Sequence, residues 1–374
     1  MQVETVSIGN ELLWGYTVNT NASFLSREMS LQGYTVARQT TIPDAKETIQ
    51  AGLKEALSRS AIVIATGGLG PTLDDLTFES ATPLFSAKPE ALKNFLGTAP
   101  GAFFFDSGKA LILLPGVPSE MERMFLEEAM PRIKRHFPLK HLPFIRRCSL
   151  CLLREVEVDP FLRELKEKHP HVEIGIYPSL GSLQVVFRSD KPVESLVRQL
   201  QEKFPTFSFG GEKIEKALQH EMVARKKTLG LAESITGGAI SARLTSIPDA
   251  SHFLLGSIVA YSNAWKERYL QVSHSTIKQE GSVSKKAVEE MVDGLFAETD
   301  ADYAIAVSGI AGPSGGTKQK PVGSIYIAIG QRGKKTDVGL IQSRPDRASA
   351  IELTVQTALG ALWRRLVHNT FTFS

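Results

Sequence analysis

At 374 residues the chain exceeds one ordinary hydrophobic core and, at about 150 residues per domain, accommodates two or three. Hydrophobic residues make up 42% and charged residues 22%, with 30 Gly and 19 Pro, which excludes wholesale disorder and fibrous repeats. The 43 basic and 40 acidic residues leave a net charge of only +3, too small an excess for a dedicated binder of phosphate backbones, so nucleic acid is not an expected partner.

Residues 1–137 alternate short apolar runs with helix-period patterns, the signature of a mostly parallel sheet covered by helices. Val3 to Ile8 reads as a strand, Thr20 to Gly33 as a helix stopped by glycine, and Tyr34 to Gln39 as the next strand. Asp44-Ala45-Lys46-Glu47 reads as a capping box with Asp44 at the N-cap of a helix reaching Ser58. Ala61 to Ala65 and Leu111 to Leu114 are continuously apolar and flanked by Gly or Pro, as strands buried on both faces are.

Residues 138–210 change character, with Pro138, Pro143, Pro160, Pro170 and Pro178 punctuating a strand, a helix, two strands and a helix, a small α+β insert. The two cysteines, Cys148 and Cys151, lie here in one strand, and an odd offset points their sulfurs to opposite faces. A disulfide framework is excluded, and a reducing compartment is the natural reading. Across 211–374 a second alternation runs through a helix from Lys213 to Arg225, strands at Thr228 to Ala232, Leu254 to Tyr261, Tyr303 to Ser308 and Gly323 to Ile329, and a closing helix from Ala348 to Val367. The expected fold class is α/β, two open, mostly parallel αβα sandwich domains joined by the insert. Met1 to Val6 shows no basic and apolar leader, and no apolar run reaches the roughly 18 residues that span a bilayer, so a cytoplasmic location without membrane contact is expected.

Open α/β sheets bind ligands at the carboxyl ends of their strands, so the residues that follow each strand carry the functional information. In the first domain these are Gly9-Asn10-Glu11, then Thr66-Gly67-Gly68-Leu69-Gly70, then Pro115-Gly116-Val117-Pro118-Ser119-Glu120. Glycines there permit close approach of a phosphate to the backbone, making Asn10, Glu11, Gly67, Gly68, Gly70, Gly116, Ser119 and Glu120 a candidate nucleotide site. Asp74 and Asp75 are candidate ligands of a divalent ion, Mg²⁺, Mn²⁺ or Co²⁺, although Asp74 also suits a helix cap.

The last domain has a sharper set. After Ala232 comes Glu233-Ser234-Ile235-Thr236-Gly237-Gly238, where Ser234 stands as a nucleophile with backbone N–H groups nearby or as an ordinary N-cap. The next strand empties into Ser262-Asn263-Ala264-Trp265-Lys266, whose lysine is either the base such a serine needs or a solvated side chain. The third empties into a glycine loop of phosphate size that includes Ser308, Gly309 and Gly312. The eight histidines are scattered without zinc-binding spacing, and His169-Pro170-His171 reads as a surface turn.

With these blocks in view, the chain resembles the competence/damage-inducible CinA family nearly end to end. Gly9 to Leu13, Asn19-Thr20-Asn21, Thr66 to Thr72 with Asp74 to Thr77, and Leu114 to Met121 are similar to its molybdopterin-binding-type domain, residues 1–137. Ala232 to Gly238, Tyr261-Ser262-Asn263, Gly281 to Ser284 and Ser308 to Gly323 are similar to its nicotinamide-nucleotide amidase domain, residues 211–374. Residues 138–210 resemble its KH-type insert without a G-x-x-G loop that would grip nucleic acid.

The resemblance implies deamidation of nicotinamide mononucleotide to nicotinate mononucleotide and ammonia, in pyridine nucleotide recycling. It makes Ser234 the nucleophile, has Lys266 and Tyr261 activate it, and puts Thr236, Gly237, Gly238, Asn263, Ser308, Gly309, Gly312 and Arg347 at the substrate; no cofactor is needed. It also implies a metal-dependent ADP-ribose pyrophosphatase in the first domain. There the family's Gly-Asp-Glu reads Gly9-Asn10-Glu11, and the stretch from Thr82 to Gly97 is shortened without, on the expectation, touching a strand. In the last domain Pro345 replaces the glycine before Asp346-Arg347, and Ile351 replaces a second arginine. A homodimer is the expected assembly. A pyrophosphatase acting through the first domain, or a non-catalytic protein binding a pterin-like cofactor or recombination machinery, are the alternatives.

Overall fold

A computed structural model describes residues 2–72 and 75–370. They divide into two compact units between Pro143 and Phe144. The first unit is built on strands β1 (Gln2–Ile8), β2 (Thr35–Ile42), β3 (Ile62–Thr66), β4 (Glu90–Leu92), β5 (Gly101–Asp106) and β6 (Lys109–Leu114) in the order β2-β1-β3-β6-β5-β4. The first four in that order are parallel, and β5 and β4 close one edge antiparallel.

The continuous apolar runs are explained by a core on each face. Ile62 and Ile64 pack with Leu25, Met29 and Met121, whereas Val63 and Ala65 pack with Ile49, Leu53 and Ala56. Period-2 alternation thus sends neighbouring residues of β3 into different helical layers. Two expectations are corrected. Helix Lys46–Arg59 starts after Ala45 with no side-chain cap, and Asp44 accepts a hydrogen bond from the Asn10 amide instead. The shortened stretch also contains β4, whose Leu92 is fully buried, so the shortening does touch a strand.

The second unit holds two sheets. β7 (Phe144–Cys151), β8 (Glu173–Ser179) and β9 (Ser182–Ser189) form an antiparallel sheet in the order β7-β9-β8. Helices Glu155–Lys168 and Glu194–Lys203 pack on it through Val158, Leu162, Leu165, Leu196 and Leu200. Cys148 joins this core, while Cys151 joins the core of the neighbouring sheet, which is what their odd spacing demands. Burial pushes the Cys151 thiol up to about 12, so it is held as an unreactive thiol.

The other sheet consists of β10 (Leu229–Glu233), β11 (Leu254–Val259), β12 (Tyr303–Gly309), β13 (Ser324–Gln331) and β14 (Asp337–Gln342), ordered β11-β10-β12-β13-β14. β11, β10 and β12 are parallel; β13 and β14 are antiparallel. Helices Ile214–Ala224 and Arg347–His368 cover one face and Lys285–Glu298 the other. No described helix is long and apolar enough to cross a membrane.

Candidate active site

β10 is buried along its whole length and ends in a carboxylate, Glu233, that is 0% exposed. Five donors satisfy it. Oε2 accepts from Thr236 Oγ1 at 2.7 Å, Gly238 N at 3.1 Å and Ile240 N at 3.0 Å, and Oε1 accepts from Ser241 N at 2.9 Å and Ser257 Oγ at 3.0 Å. A negative group at the start of helix Ala239–Thr245 is where free N–H groups and the helix dipole favour one. The chain can wrap this carboxylate because Gly237 and Gly238 take φ of +59° and +101°, conformations costly for other residues.

This clamp fixes the turn that presents Ser234. The Ser234 N–H continues the sheet by donating to Val307 O at 3.1 Å, so it is spent. Among the described residues neither the Ile235 nor the Thr236 N–H finds a protein acceptor. Helix Asn263–Leu270, capped by the Ser262 hydroxyl, carries Lys266 into the interior, where it is 2% exposed. Its Nζ lies 2.9 Å from Ser234 Oγ and also donates to Ala260 O at 3.0 Å and Tyr261 O at 3.5 Å. Among the described residues no carboxylate pairs with it, and burial draws its pKa down from 10.5 to about 8.

Ser234 and Lys266 open onto a cavity of about 180 Å³ that Tyr261, Ser282, Ser308, Gly309 and Arg347 also line. Ser308 donates to Ser282 O at 2.7 Å, tying two walls together. Tyr261 is 59% exposed and its hydroxyl accepts from Arg347 Nη2 at 2.5 Å, so it stands at the rim. Of the residues singled out in the sequence, Ser234, Lys266, Tyr261, Ser308, Gly309 and Arg347 come together here. Thr236 and Gly238 belong to the Glu233 clamp, Gly237 to the turn, Asn263 to the first turn of its helix, and Gly312 to a loop bend with φ +83°. The role of Glu233 was missed; its signal was a carboxylate closing an otherwise apolar strand.

The first unit has a cavity at the same topological place, about 320 Å³, where the segments after β1, β3 and β6 converge. Glu11, Gly67, Gly68, Asp75 and Gly116 line it, together with Asn19, Asn21 and Asp44. Gly67 is obligatory, since a Cβ there would lie 2.2 Å from Ile8 O at φ +104°. Asn10, Gly70, Ser119 and Glu120 do not line it; Glu120 accepts instead from Asn94 Nδ2 at 2.7 Å. Asp75 accepts from Thr72 N at 2.8 Å and Thr72 Oγ1 at 2.6 Å, bonds that hold its pKa below the usual value against the opposing effect of burial. Asp74 lies outside the described residues. Among the described residues no group of three His, Cys, Asp or Glu side chains is gathered to hold a metal ion.

The family model of the CinA C-terminal domain matches residues 211–366, and that of the probable molybdopterin binding domain matches residues 4–135. A CinA-like protein of Prochlorococcus marinus subsp. pastoris is 36% identical over 409 residues, covering 96% of this chain and 94% of its own. Another, from Kosmotoga olearia, is 33% identical and covers 98% and 99%. A solved structure, the competence damage-inducible protein A of Klebsiella pneumoniae, is 34% identical with a TM-score of 0.41, covering 42% of this chain and 97% of its own. Full-length similarity at this level, together with the two family models matched along the chain, makes it a member of the CinA family.

Proposed function

We propose that the second unit hydrolyses the carboxamide of nicotinamide mononucleotide to nicotinate mononucleotide and ammonia. The observation that carries this reading is the buried Lys266 amine 2.9 Å from the Ser234 hydroxyl, with a pKa lowered to about 8. A lysine shifted that far is neutral in about a tenth of the molecules at pH 7, enough to serve as a base. The neutral amine takes the Ser234 proton as Oγ attacks the amide carbon. The Ile235 and Thr236 N–H groups are the nearby donors left for the oxyanion. The Lys266 ammonium then protonates the departing nitrogen, which leaves as ammonia, and water repeats the sequence on the acyl-serine.

The cavity of about 180 Å³ suits a flat ring and its carboxamide, not a whole nucleotide. The ribose phosphate therefore extends past Tyr261, and the Arg347 guanidinium at the rim is its anion partner. Ammonia release from nicotinamide mononucleotide, with and without a chelator, tests the proposal. Chelator-insensitive release that disappears in Ser234→Ala is expected; no release from the wild type would overturn it.

For the first unit a nucleotide pyrophosphatase is the second reading, favoured by three loops converging on one polar cavity. The described carboxylates fit a metal poorly. Asp44 is engaged by Asn10 and Asp75 by Thr72, and no group of three assembles. Weak or absent ADP-ribose turnover is accordingly expected, even with Mg²⁺, Mn²⁺ or Co²⁺.

A further inference from the structure

The parallel register of β10 and β12 pairs Ala232 with Ala306 and Glu233 with Val307, and the bond from Ser234 N–H to Val307 O carries it one step further. Ser234 and Ser308 are therefore cross-strand neighbours, with Cα atoms roughly 5 Å apart. Alternation sets them on one face, because Ala232, Ala304 and Ala306 join the core under helix Lys285–Glu298 while Ile305 and Val307 join the opposite one. Both serines line the cavity with Lys266, and Ser308 is only 1% exposed. It forms the floor beside the reacting hydroxyl.

The direction of the Ser308 proton is fixed by its partner. Ser308 Oγ lies 2.7 Å from Ser282 O, and a carbonyl oxygen only accepts, so the serine donates. That carbonyl is itself held in place. Ser284 caps helix Lys285–Glu298 by accepting from Ala287 N at 3.2 Å and donates to Gly281 O at 2.8 Å, which pins the turn through Gly281 and Ser282. Among the described residues no group donates to Ser308 Oγ. The hydroxyl thus presents lone pairs and no proton to whatever enters the cavity. A carboxamide nitrogen carries two N–H donors that suit it, whereas a carboxylate carries none and meets it as acceptor against acceptor. The nitrogen also gains positive charge as Lys266 protonates it, so its bond to Ser308 strengthens toward the transition state.

We infer that Ser308 is the residue that tells amide from acid in this cavity. It accepts from the leaving nitrogen, leaves the carbonyl oxygen to the Ile235 and Thr236 N–H groups, and disfavours the carboxylate product. The assignment rests on the hydrolysis proposed above and adds to it the discrimination between substrate and product.

Calorimetric titration of the full chain carrying Ser234→Ala, with nicotinamide mononucleotide and nicotinate mononucleotide as probes, tests it. The amide should bind about tenfold or more tighter than the acid. Adding Ser308→Ala should shrink that ratio about fivefold or more, and Ser308→Thr, which keeps the hydroxyl, should restore it. On the chain with Ser234 intact, Ser308→Ala should lower kcat/KM about tenfold or more with the pH midpoint near 8 unmoved. The inference is overturned if the ratio is the same with and without the Ser308 hydroxyl, if the acid binds as tightly as the amide, if neither binds, or if the loss in kcat/KM only tracks the fraction unfolded in a melting curve. The ratio does not depend on turnover, so an inactive wild type that still prefers the amide through Ser308 would sink the proposed hydrolysis and leave this assignment standing.

Discussion

Both large sheets place a cavity at the carboxyl ends of their parallel strands, yet the two cavities dispose of their polar groups in opposite ways. At the N-terminal one, most polar side chains are bonded to a neighbour, the buried Asn21 Oδ1 excepted. Asn10 donates to Asp44, Thr72 to Asp75, Asn19 to Ser7, and Asn21 to Gly116 O. At the C-terminal one, a fully satisfied carboxylate sits behind the turn, while in front of it a lysine with no counter-charge among the described residues points at a serine. Polar groups tied to their neighbours by hydrogen bonds make a binding surface. A charge kept without a partner stores free energy that proton transfer can use. Glycine loops after strands mark where a ligand goes, and only the electrostatic state of the neighbouring groups marks where chemistry happens.

The largest expected effect breaks the comparison outright. Ser234→Ala should lower kcat for amide hydrolysis on the order of a thousandfold or more, because nucleophile and base act as a unit. Its melting temperature should scarcely change, since the Ser234 contribution to the sheet is a backbone bond. Parallel turnover and melting measurements decide the matter; an active but destabilised variant would make Ser234 a mere turn residue.

Lys266→Met should be as inactive and, unusually for a buried position, more stable near neutral pH. With a folded pKa of about 8 against 10.5 for the ordinary side chain, the charged form is penalised in the native state. That penalty is complete below pH 8 and is relieved as pH rises from about 8 to 10.5, so replacing the charge recovers on the order of 1–3 kcal/mol at pH 7. The same shift predicts that wild-type kcat/KM rises with pH through a midpoint near 8. Activity that is flat across that range would remove Lys266 as the base.

Glu233→Gln should have an intermediate effect. An amide cannot accept from donors at both positions, so at least one of the backbone N–H groups of Gly238, Ile240 and Ser241 loses its acceptor, costing about 1–3 kcal/mol. If the clamp positions Ser234, kcat should fall about tenfold or more with KM little changed and the pH midpoint unmoved, because burial alone accounts for the Lys266 shift. Steady-state kinetics across pH distinguish this from simple loss of folded protein, which would lower apparent kcat in proportion to the unfolded fraction.

The smallest effect sharpens the other side. Asn10→Asp replaces a donor to Asp44 with a second carboxylate, turning a bonded pair into a like-charged one. Without metal the variant should melt slightly lower at neutral pH, and Mn²⁺ or Mg²⁺ should restore it where they leave the wild type unaffected. ADP-ribose turnover should rise only if the missing charge, and not the shortened stretch before Gly97, limits the first unit. A variant indifferent to divalent cations would show that this edge is no metal site even with the acid in place.

Much of the architecture was legible because long-range order follows from local pattern in this fold class. Continuous apolar runs such as Ala61 to Ala65 had to be strands covered on both faces, and the residues after them had to face ligands. Strands on the antiparallel edges were harder to read. β4 has three residues, and β14 shows only partial burial, so neither has a pattern strong enough to stand apart from a loop. Asp44 illustrates the reverse failure. Its spacing satisfied a capping box, but the backbone entered the helix one residue later and a partner 34 positions away took the carboxylate.

What the sequence determined by itself was the alternation of elements, the glycine turns and the order of the domains, since each depends on residues within a few positions of one another. It brought Ser234 and Lys266 onto neighbouring strand ends without deciding whether the lysine was solvated. Only the packing of helix Asn263–Leu270 decided that, leaving Lys266 2% exposed with no carboxylate paired to it among the described residues. The tertiary structure likewise gave Glu233 five donors from four different positions after its strand and from the neighbouring strand. The physical reason is that burial and pairing are properties of everything that surrounds a charge, and those surroundings come from distant parts of the chain.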